Sequence, residues 1–255
     1  MKTIAFINIK GGVAKTTSVL AFAQLLALEH GKRVLILDCD KQANATLALF
    51  DTLPSGSLST SDLLTSRKPI ASDAIMHTEY GFDIIPADFS LLEANRTVLF
   101  ETSSREFRFA KQLAEISDRY DYCIIDCPPD INVGVTNALY AADEVLIPVR
   151  ADRYGFYGLE YTFNAINEAK EQNPKLRNVG CFLTMLCPGT NLSEAARILL
   201  KDFGDDLCFS TAIRQCTKVG ESTFGKPIIS YAPRSSAAED YRALLAEYFE
   251  RTKAE

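Results

Sequence analysis

A glycine-rich turn with two lysines lies between an apolar segment and an alanine-rich segment near the N-terminus. The turn reads Lys10-Gly11-Gly12-Val13-Ala14-Lys15-Thr16-Thr17. Residues 3–9 have the clustered apolar side chains of a buried strand, and residues 19–28 have the apolar content of a helix packed on a sheet. The turn is therefore predicted at a helix N-terminus, where unpaired backbone N–H groups and the helix dipole attract phosphate. Such a turn forms a cradle for the phosphates of a nucleotide.

The turn departs from the ordinary Walker A pattern, G-x-x-x-x-G-K-[ST]. Ile9 and Ala14 occupy the two glycine positions of that pattern. Because only glycine adopts positive φ freely, the backbone at Ala14 must be one that a Cβ atom tolerates. We expect its methyl group to fit without loss of the cradle. The alternative interpretation is a plain Gly-Gly turn with exposed lysines.

Acidic residues follow two further apolar segments. Residues 34–37 lead to Asp38-Cys39-Asp40, and residues 122–125 lead to Asp126. Ligands of doubly wound sheets bind at the carboxyl ends of the strands, so we expect these acids to converge with the phosphate turn on one site. For Asp40, a helix N-cap or turn role is the alternative.

Together these motifs resemble the ParA/MinD family of P-loop ATPases. The resemblance extends from about residue 2 to about residue 250, and four segments carry it besides residues 10–17: residues 38–46, 122–129, 182–186 and 225–235. Two positions depart from the common pattern of the family, since Ala14 replaces a glycine and Lys41 replaces a proline.

The resemblance implies ATP and Mg²⁺ as ligands. The nucleotide-binding residues that it implies are Lys10, Gly11, Gly12, Val13, Ala14, Lys15, Thr16, Thr17 and Gln215. Thr16 supplies a hydroxyl to Mg²⁺, a hard ion that prefers oxygen ligands, while Asp38 and Asp126 hold the metal through water.

Three residues are implied to be catalytic. Lys15 contacts the β- and γ-phosphates, Lys10 reaches the nucleotide of a partner subunit, and Asp40 orients the attacking water. Gly12 allows two such turns to approach face to face. These roles suit phosphoryl transfer, which depends mainly on positioning and on positive charge near the developing negative charge.

The segment pattern predicts an α/β fold with a doubly wound, mostly parallel sheet flanked by helices, as in P-loop NTPases, in one domain over residues 1–255. Predicted strands lie at residues 3–9, 33–38, 82–86, 122–126, 144–148, 178–184 and 228–230. Predicted helices lie at residues 17–30, 90–100, 105–120, 132–142, 158–172, 191–203 and 235–251. Residues 53–72 are predicted as a loop with a short helix near residues 61–64.

Composition narrows the classes of protein. The net charge of −6 argues against a globally basic nucleic-acid binder, although Arg214, Lys218 and Arg242 could form a local patch for DNA. An ordinary solvated face is the alternative for these cations. The seven cysteines include no C-x-x-C pair, and no apolar run approaches the roughly 20 residues that span a bilayer. We therefore expect reduced thiols, no membrane partner and a cytoplasmic location, which for a DNA-binding protein includes the nucleoid.

Within the family, the sequence fits a short partition ATPase, because no helix-turn-helix segment is apparent before the first strand. The resemblance then implies an ATP-dependent homodimer, non-specific binding to double-stranded DNA and a ParB-like partner that stimulates hydrolysis. Residues 187–192 lack the arginine of the D-x-R-T-N-L segment that the family often carries. This departure bears on DNA affinity.

Four alternatives stay open. A MinD-like, membrane-positioning ATPase needs a basic amphipathic C-terminal helix, but the apolar stripe from Tyr241 to Phe249 has a polar face of mixed charge, which favours core packing. A small-molecule kinase or ligase needs a substrate pocket. An iron–sulfur reductase needs paired cysteines. A non-enzymatic scaffold would result if Ala14 or Lys41 abolished turnover.

Overall fold

A seven-stranded sheet forms the centre of the computed structural model, which describes residues 1–101, 105–152, 156, 158–201 and 203–253. The strands of this described part are β1 Lys2–Phe6, β2 Val34–Asp38, β3 Met76–His77, β4 Asp83–Ile85, β5 Tyr122–Asp126, β6 Glu144–Arg150 and β7 Arg177–Thr184. Their order is β3-β4-β2-β5-β1-β6-β7. All neighbours are parallel except β3 and β4.

Helices cover both faces of this sheet. The helices of the described residues are α1 Lys15–Gln24, α2 Asn44–Leu47, α3 Thr60–Thr65, α4 Leu91–Leu99, α5 Arg108–Glu115, α6 Val133–Ala141, α7 Leu159–Gln172, α8 Asn191–Lys201, α9 Thr217–Ser222, α10 Ile228–Tyr231 and α11 Ser236–Lys253. A π-helical turn, Leu25–Glu29, extends α1. All five residues of β2 are buried, because a parallel strand covered on both faces has no solvent side. The predicted fold class is confirmed.

Alternate residues of the central strand β1 face two hydrophobic cores. Ile4 and Phe6 pack with α1 and α11, whereas Ala5 and Ile7 face the core on the opposite side of the sheet. The C-terminal helix α11 buries the stripe that contains Tyr241 and Tyr248, which confirms the core-packing interpretation of this helix. Among the described residues, none of the helices combines the length and the apolar character needed to cross a bilayer.

One predicted strand is wrong. Residues 228–230 belong to helix α10, which Pro227 precedes with φ −54°, a value that already suits a helix start. A short apolar run such as Ile228-Ile229 has no periodicity that separates a strand from a buried helical turn. The antiparallel strand β3 and the short helices α2 and α9 were not predicted. The remaining predicted elements are present, with ends that differ by a few residues.

Candidate nucleotide site

The phosphate turn connects β1 to α1, as predicted. Gly11 and Gly12 are exposed, and the helix begins at Lys15. Ala14 is the N-cap residue and has left-handed backbone angles, φ 66° and ψ 32°. The first N–H groups of a helix have no acceptor within the helix, so the start of α1 offers backbone donors to an anion.

The two lysines of the turn lie in different surroundings. Lys10 is exposed, whereas Lys15 is buried. The Lys15 ammonium donates hydrogen bonds to the backbone carbonyls of Asn8 at 2.9 Å and Lys10 at 3.2 Å. Burial lowers the pKa of Lys15, and the nearby charge of Asp126 opposes this shift. Lys15 is thus held inside the turn, while Lys10 lies at its outer face.

Asp38 and Asp126 are register partners at the ends of β2 and β5. Asp38 is fully satisfied by donors: Oδ2 accepts the backbone N–H of Thr46 at 3.0 Å and its hydroxyl at 2.7 Å, and Oδ1 accepts the N–H of Asp40 at 3.1 Å. Burial raises the pKa of Asp38 to about 6. The short helix that contains Thr46 therefore supports this carboxylate.

Asp126 is buried without such support. Neither carboxylate oxygen has a hydrogen-bond partner of good geometry, although the Thr16 hydroxyl lies close enough to influence the group. Burial and then the charge of Asp38 raise the pKa of Asp126 to about 8, and Thr16 opposes the shift. Two buried oxygens that lack donors, beside a hydroxyl, are oxygen ligands of the kind that Mg²⁺ prefers. Thr16, Asp38 and Asp126 therefore fit a magnesium ion that retains part of its water shell.

Asp40 is buried and lies at the wall of the nucleotide cavity. Its Oδ1 accepts the backbone N–H of Gln42 at 2.9 Å, which is an Asx-turn. The turn role that we gave as the alternative is thus present in the structure. It leaves the catalytic role of Asp40 as a prediction, since a turn acid at this wall can also orient water.

A cavity of about 750 Å³ opens beside the turn, a volume within the range of small-molecule sites. The predicted nucleotide-binding and catalytic residues that line it are Gly11, Gly12, Val13, Ala14, Lys15, Thr16, Thr17, Asp40 and Gln215, and the predicted DNA contact Arg214 lines it as well. Lys10 lies outside this lining, and Asp38 and Asp126 lie buried below it.

Several lining residues were missed by the sequence analysis. They are contributed by the carboxyl ends of β6 and β7 and by the C-terminal helix, and they include Arg150, Asp152, Thr184 and Tyr241. β6 neighbours β1, so the rule that ligands bind at strand carboxyl ends could have identified the first three. Tyr241 had no such signal, because its apolar stripe indicated only core packing.

The predicted base contact lies on the cavity wall in a defined position. The amide oxygen of Gln215 accepts a hydrogen bond from the Cys187 thiol at 3.0 Å, and the Gln215 N–H donates to the carbonyl of Leu186 at 2.9 Å. These contacts fix residue 215 against the end of β7. Its contact with a base stays a prediction.

The three predicted DNA-binding cations each have an acidic partner. Arg214 makes a two-pronged pair with Asp240, in which its N–H groups lie 2.7 to 3.0 Å from the carboxylate oxygens. The Lys218 ammonium lies 2.7 Å from a carboxylate oxygen of Glu221, and the Arg242 guanidinium lies 2.8 Å from a carboxylate oxygen of Glu29. Their positive charge is therefore partly compensated within the chain, and their contact with DNA stays a prediction.

Comparison with known proteins matches the chain to one family. A family model described as an AAA domain matches residues 1–178. The sporulation initiation inhibitor protein Soj of Bacillus subtilis is 38% identical over 248 residues, with 96% of this chain and 97% of the relative covered. The chain belongs to the ParA/MinD family of P-loop ATPases.

Other members and structural neighbours agree with this family. The chromosome partitioning protein ParA of Caulobacter vibrioides is 32% identical, with 99% of this chain and 96% of the relative covered. The structure of cobyrinic acid a,c-diamide synthase from Mycobacterium smegmatis, with a bound ATP analogue and magnesium, superposes with a TM-score of 0.82 at 28% identity and covers 95% of this chain and 92% of that one. The ParA/MinD fold thus serves proteins of more than one activity.

Proposed function

We propose that the protein is a partition ATPase that dimerises face to face on Mg²⁺-ATP, binds DNA non-specifically and releases it when a ParB-like partner stimulates hydrolysis. The observation that carries the proposal is the contrast between the two lysines of one turn. Lys15 is buried with its ammonium held by two carbonyls of the turn, and Lys10 is exposed outside the cavity that its neighbours line. Lys15 is placed for the phosphates of its own subunit, and the exposed Lys10 is placed for those of a second subunit.

The described residues divide the chemistry between them. Backbone N–H groups at the start of α1 bind the phosphates, and Lys15 exchanges its carbonyl partners for the β- and γ-phosphate oxygens. Mg²⁺ supplies charge neutralisation at these oxygens when Thr16, Asp38 and Asp126 hold it. Asp40 holds the attacking water at the cavity wall. Hydrolysis of ATP to ADP and phosphate removes the γ-phosphate, and with it the group that Lys15 of one subunit and Lys10 of the other contact together across the dimer.

The surface around Gly12 supports a face-to-face dimer. A Cβ atom built on Gly12 meets no heavy atom within 4 Å, so the described part of the chain leaves open space there. The φ of +71° favours glycine for backbone reasons, and the exposed turn also lets the backbone of a second subunit approach.

The relatives named for chromosome partitioning support DNA and a partner protein as the other components. The paired cations Arg214, Lys218 and Arg242 remain our predicted DNA contacts. Binding would then depend on a patch that two subunits form together, since each cation has an acidic neighbour in one subunit. Positioning of another cargo without DNA is the competing outcome.

The state of association tests the proposal. Asp40→Ala should trap the ATP state, and scattering-detected gel filtration should then show a dimer with Mg²⁺-ATP and a monomer with Mg²⁺-ADP. Lys10→Ala in the Asp40→Ala background is the matched control, because it should keep ATP bound and lose the dimer. A trapped variant that stays monomeric with ATP bound would contradict the face-to-face dimer.

A further inference from the structure

Ala14 stands at a strained position of the phosphate turn. Its φ of 66° lies in the left-handed region, which is unfavourable for a residue with a Cβ because the Cβ approaches the following carbonyl oxygen. Ala14 is also the N-cap of α1, and its side chain cannot accept a hydrogen bond there. The conformation must therefore be held by contacts with other parts of the chain.

The carbonyl of Ala14 accepts two hydrogen bonds from Ser18. The Ser18 N–H donates at 3.0 Å as the first helical bond, and the Ser18 hydroxyl donates at 2.7 Å. The same hydroxyl lies 3.0 Å from the hydroxyl of Tyr241 on α11. Because the Ser18 proton is directed at the Ala14 carbonyl, Tyr241 must be the donor in this second contact.

Both hydroxyls are removed from solvent. Ser18 and Tyr241 are each 0% exposed, and burial raises the pKa of Tyr241, which keeps its phenol protonated. A buried donor without an acceptor is unfavourable, and water cannot reach either hydroxyl to replace its partner. The hydrogen bonds from Tyr241 to Ser18 and from Ser18 to Ala14 are therefore retained in the folded protein. The hydrogen-bond chain joins residues 14 and 241 directly beneath the cavity.

A second side chain holds the preceding peptide. The hydroxyl of Thr184, at the end of β7, donates to the carbonyl of Val13 at 3.2 Å and is itself buried. A peptide unit is planar and trans, so fixing a carbonyl also fixes the N–H of the next residue. The contacts on Val13 and Ala14 therefore set the directions of the Ala14 and Lys15 N–H groups.

We propose that Tyr241 and Ser18 are positioning residues that hold Ala14 in its left-handed conformation and so aim the backbone donors of the phosphate turn. The inference concerns nucleotide binding by one subunit, and it rests on the assignment of this turn to Mg²⁺-ATP but not on dimerisation, DNA or a partner. Helix α11 is thereby a part of the nucleotide site rather than only a cover for the core. Glycine at position 14 would make the hydrogen-bond chain dispensable, since glycine adopts this φ without strain.

A double-mutant cycle between positions 241 and 14 tests the inference. Tyr241→Phe should weaken the binding of a fluorescent ATP analogue with Mg²⁺ by about three- to tenfold, the effect of one lost hydrogen bond. Ala14→Gly should bind at least as tightly as the wild type. The double variant should recover most of the loss, because glycine needs no support.

Tyr248→Phe is the matched control. Tyr248 lies on the same helix, is equally buried and donates its hydroxyl to Glu144 at 2.5 Å, away from the turn. This variant should lose stability in urea without a change in nucleotide affinity. Ser18→Ala should behave like Tyr241→Phe and should also be rescued by glycine at position 14.

Three results would overturn the inference. They are an unchanged affinity in Tyr241→Phe, an equal loss in Tyr248→Phe, and a loss in Tyr241→Phe that glycine does not recover, which would mean that Tyr241 contacts the nucleotide itself. Urea unfolding of the nucleotide-free variants gives a second readout of the same cycle. Additive effects of the two changes on the unfolding midpoint would also contradict a coupling between positions 14 and 241. A dimer or DNA assay that fails leaves these results unaffected, so the two proposals are tested separately.

Discussion

Two neighbouring carboxylates at the proposed magnesium site differ in their hydrogen bonding. Asp38 accepts three hydrogen bonds, whereas both oxygens of Asp126 are buried without a partner of good geometry. A buried polar group without a partner lowers the stability of a fold. A cation bound beside Asp126 would remove this free-energy cost of burial. Asp126 is thus placed for its ligand at a cost to the nucleotide-free protein.

Substitution of these acids by asparagine should have opposite effects on stability. Because burial and the charge of Asp38 raise the pKa of Asp126 to about 8, at neutral pH the folded chain holds this carboxyl protonated, whereas the unfolded chain ionises it freely, which lowers the stability of the fold. Asp126→Asn removes that difference and should raise the free energy of unfolding of the nucleotide-free protein by about 1–3 kcal/mol. Asp38→Asn, the matched control, loses acceptor capacity toward Thr46 and Asp40 and should lower it by about 1 kcal/mol or more. Urea unfolding without nucleotide or Mg²⁺ measures both. A destabilised Asp126→Asn would contradict the assignment of Asp126 as the unsatisfied member of the pair.

The two lysines should separate in binding and turnover. Lys15→Ala removes the buried ammonium beside the phosphates and should reduce nucleotide affinity by at least tenfold, whereas Lys10→Ala should change affinity by less than about threefold and abolish hydrolysis. Fluorescent-nucleotide titration and phosphate release, measured on both variants, distinguish these effects. Equal losses of affinity would show that both lysines serve the same nucleotide.

At the scale of elements, helix α7 holds the segment that carries Lys10. The hydroxyl of Thr162 accepts the N–H of Ile9 at 3.2 Å and donates to the carbonyl of Gly158 at 2.9 Å. On the other side, the amide of Asn8 accepts the N–H of Lys10 at 2.9 Å and donates to the carbonyl of Pro148 at 2.9 Å. The entry to the phosphate turn is thus fixed by α7 and β6 together.

Removal of the Thr162 hydroxyl should therefore impair turnover more than binding. Thr162→Val keeps the shape and leaves the Ile9 N–H without its acceptor, so we expect a several-fold decrease in hydrolysis rate and an affinity within about twofold of the wild type. Thr162→Ser restores the acceptor and is the control. A serine variant as slow as the valine variant would indicate a packing defect.

The sequence predicted best those elements whose own residue pattern reflects their burial in the fold. The turn of residues 10–17, the acids after β2 and β5 and the long helices follow from strand burial and from the rule for strand carboxyl ends. Residues 228–230 were assigned wrongly because two isoleucines after a proline suit either a strand or a helical turn. Helix α2 was missed because its four residues include no periodicity, although Thr46 within it supports Asp38. Tyr241 was missed because its hydroxyl acts across the core, where no local pattern records a partner.

At the scale of the whole molecule, the proposal brings together a protein of net negative charge and DNA, whose phosphates are also negative. The net charge is −6, and the candidate cations Arg214, Lys218 and Arg242 are each paired with an acid. Binding to DNA then requires that a dimer align cations from two subunits against the phosphates. Such binding is electrostatic, independent of sequence and sensitive to salt.

The trapped Asp40→Ala dimer should bind duplex DNA with a log–log salt slope of about −0.9 per phosphate contact. Lys218→Glu should reduce both the affinity and the slope while leaving ATP-dependent dimerisation intact. Lys175→Glu is the control and should have no effect, because this exposed lysine precedes the amino end of β7, whereas Arg214 pairs with residue 186 beyond the carboxyl end of that strand. A dimer that stays off DNA at low salt would favour positioning of another cargo.

The hydrogen bond between Ser18 and Tyr241 joins the first helix to the last one across 223 residues of chain. β1, which leads into the turn, lies between β5 and β6, strands that follow it by more than a hundred residues. Synthesis proceeds from the N-terminus, so the turn leaves the ribosome long before any of these supports exist. A nascent chain therefore carries the phosphate-binding sequence without the supports that fix it, and on the proposed role of Tyr241 the full affinity for ATP arises only when α11 has been translated and has docked. The first functional segment to be made is the last to be completed.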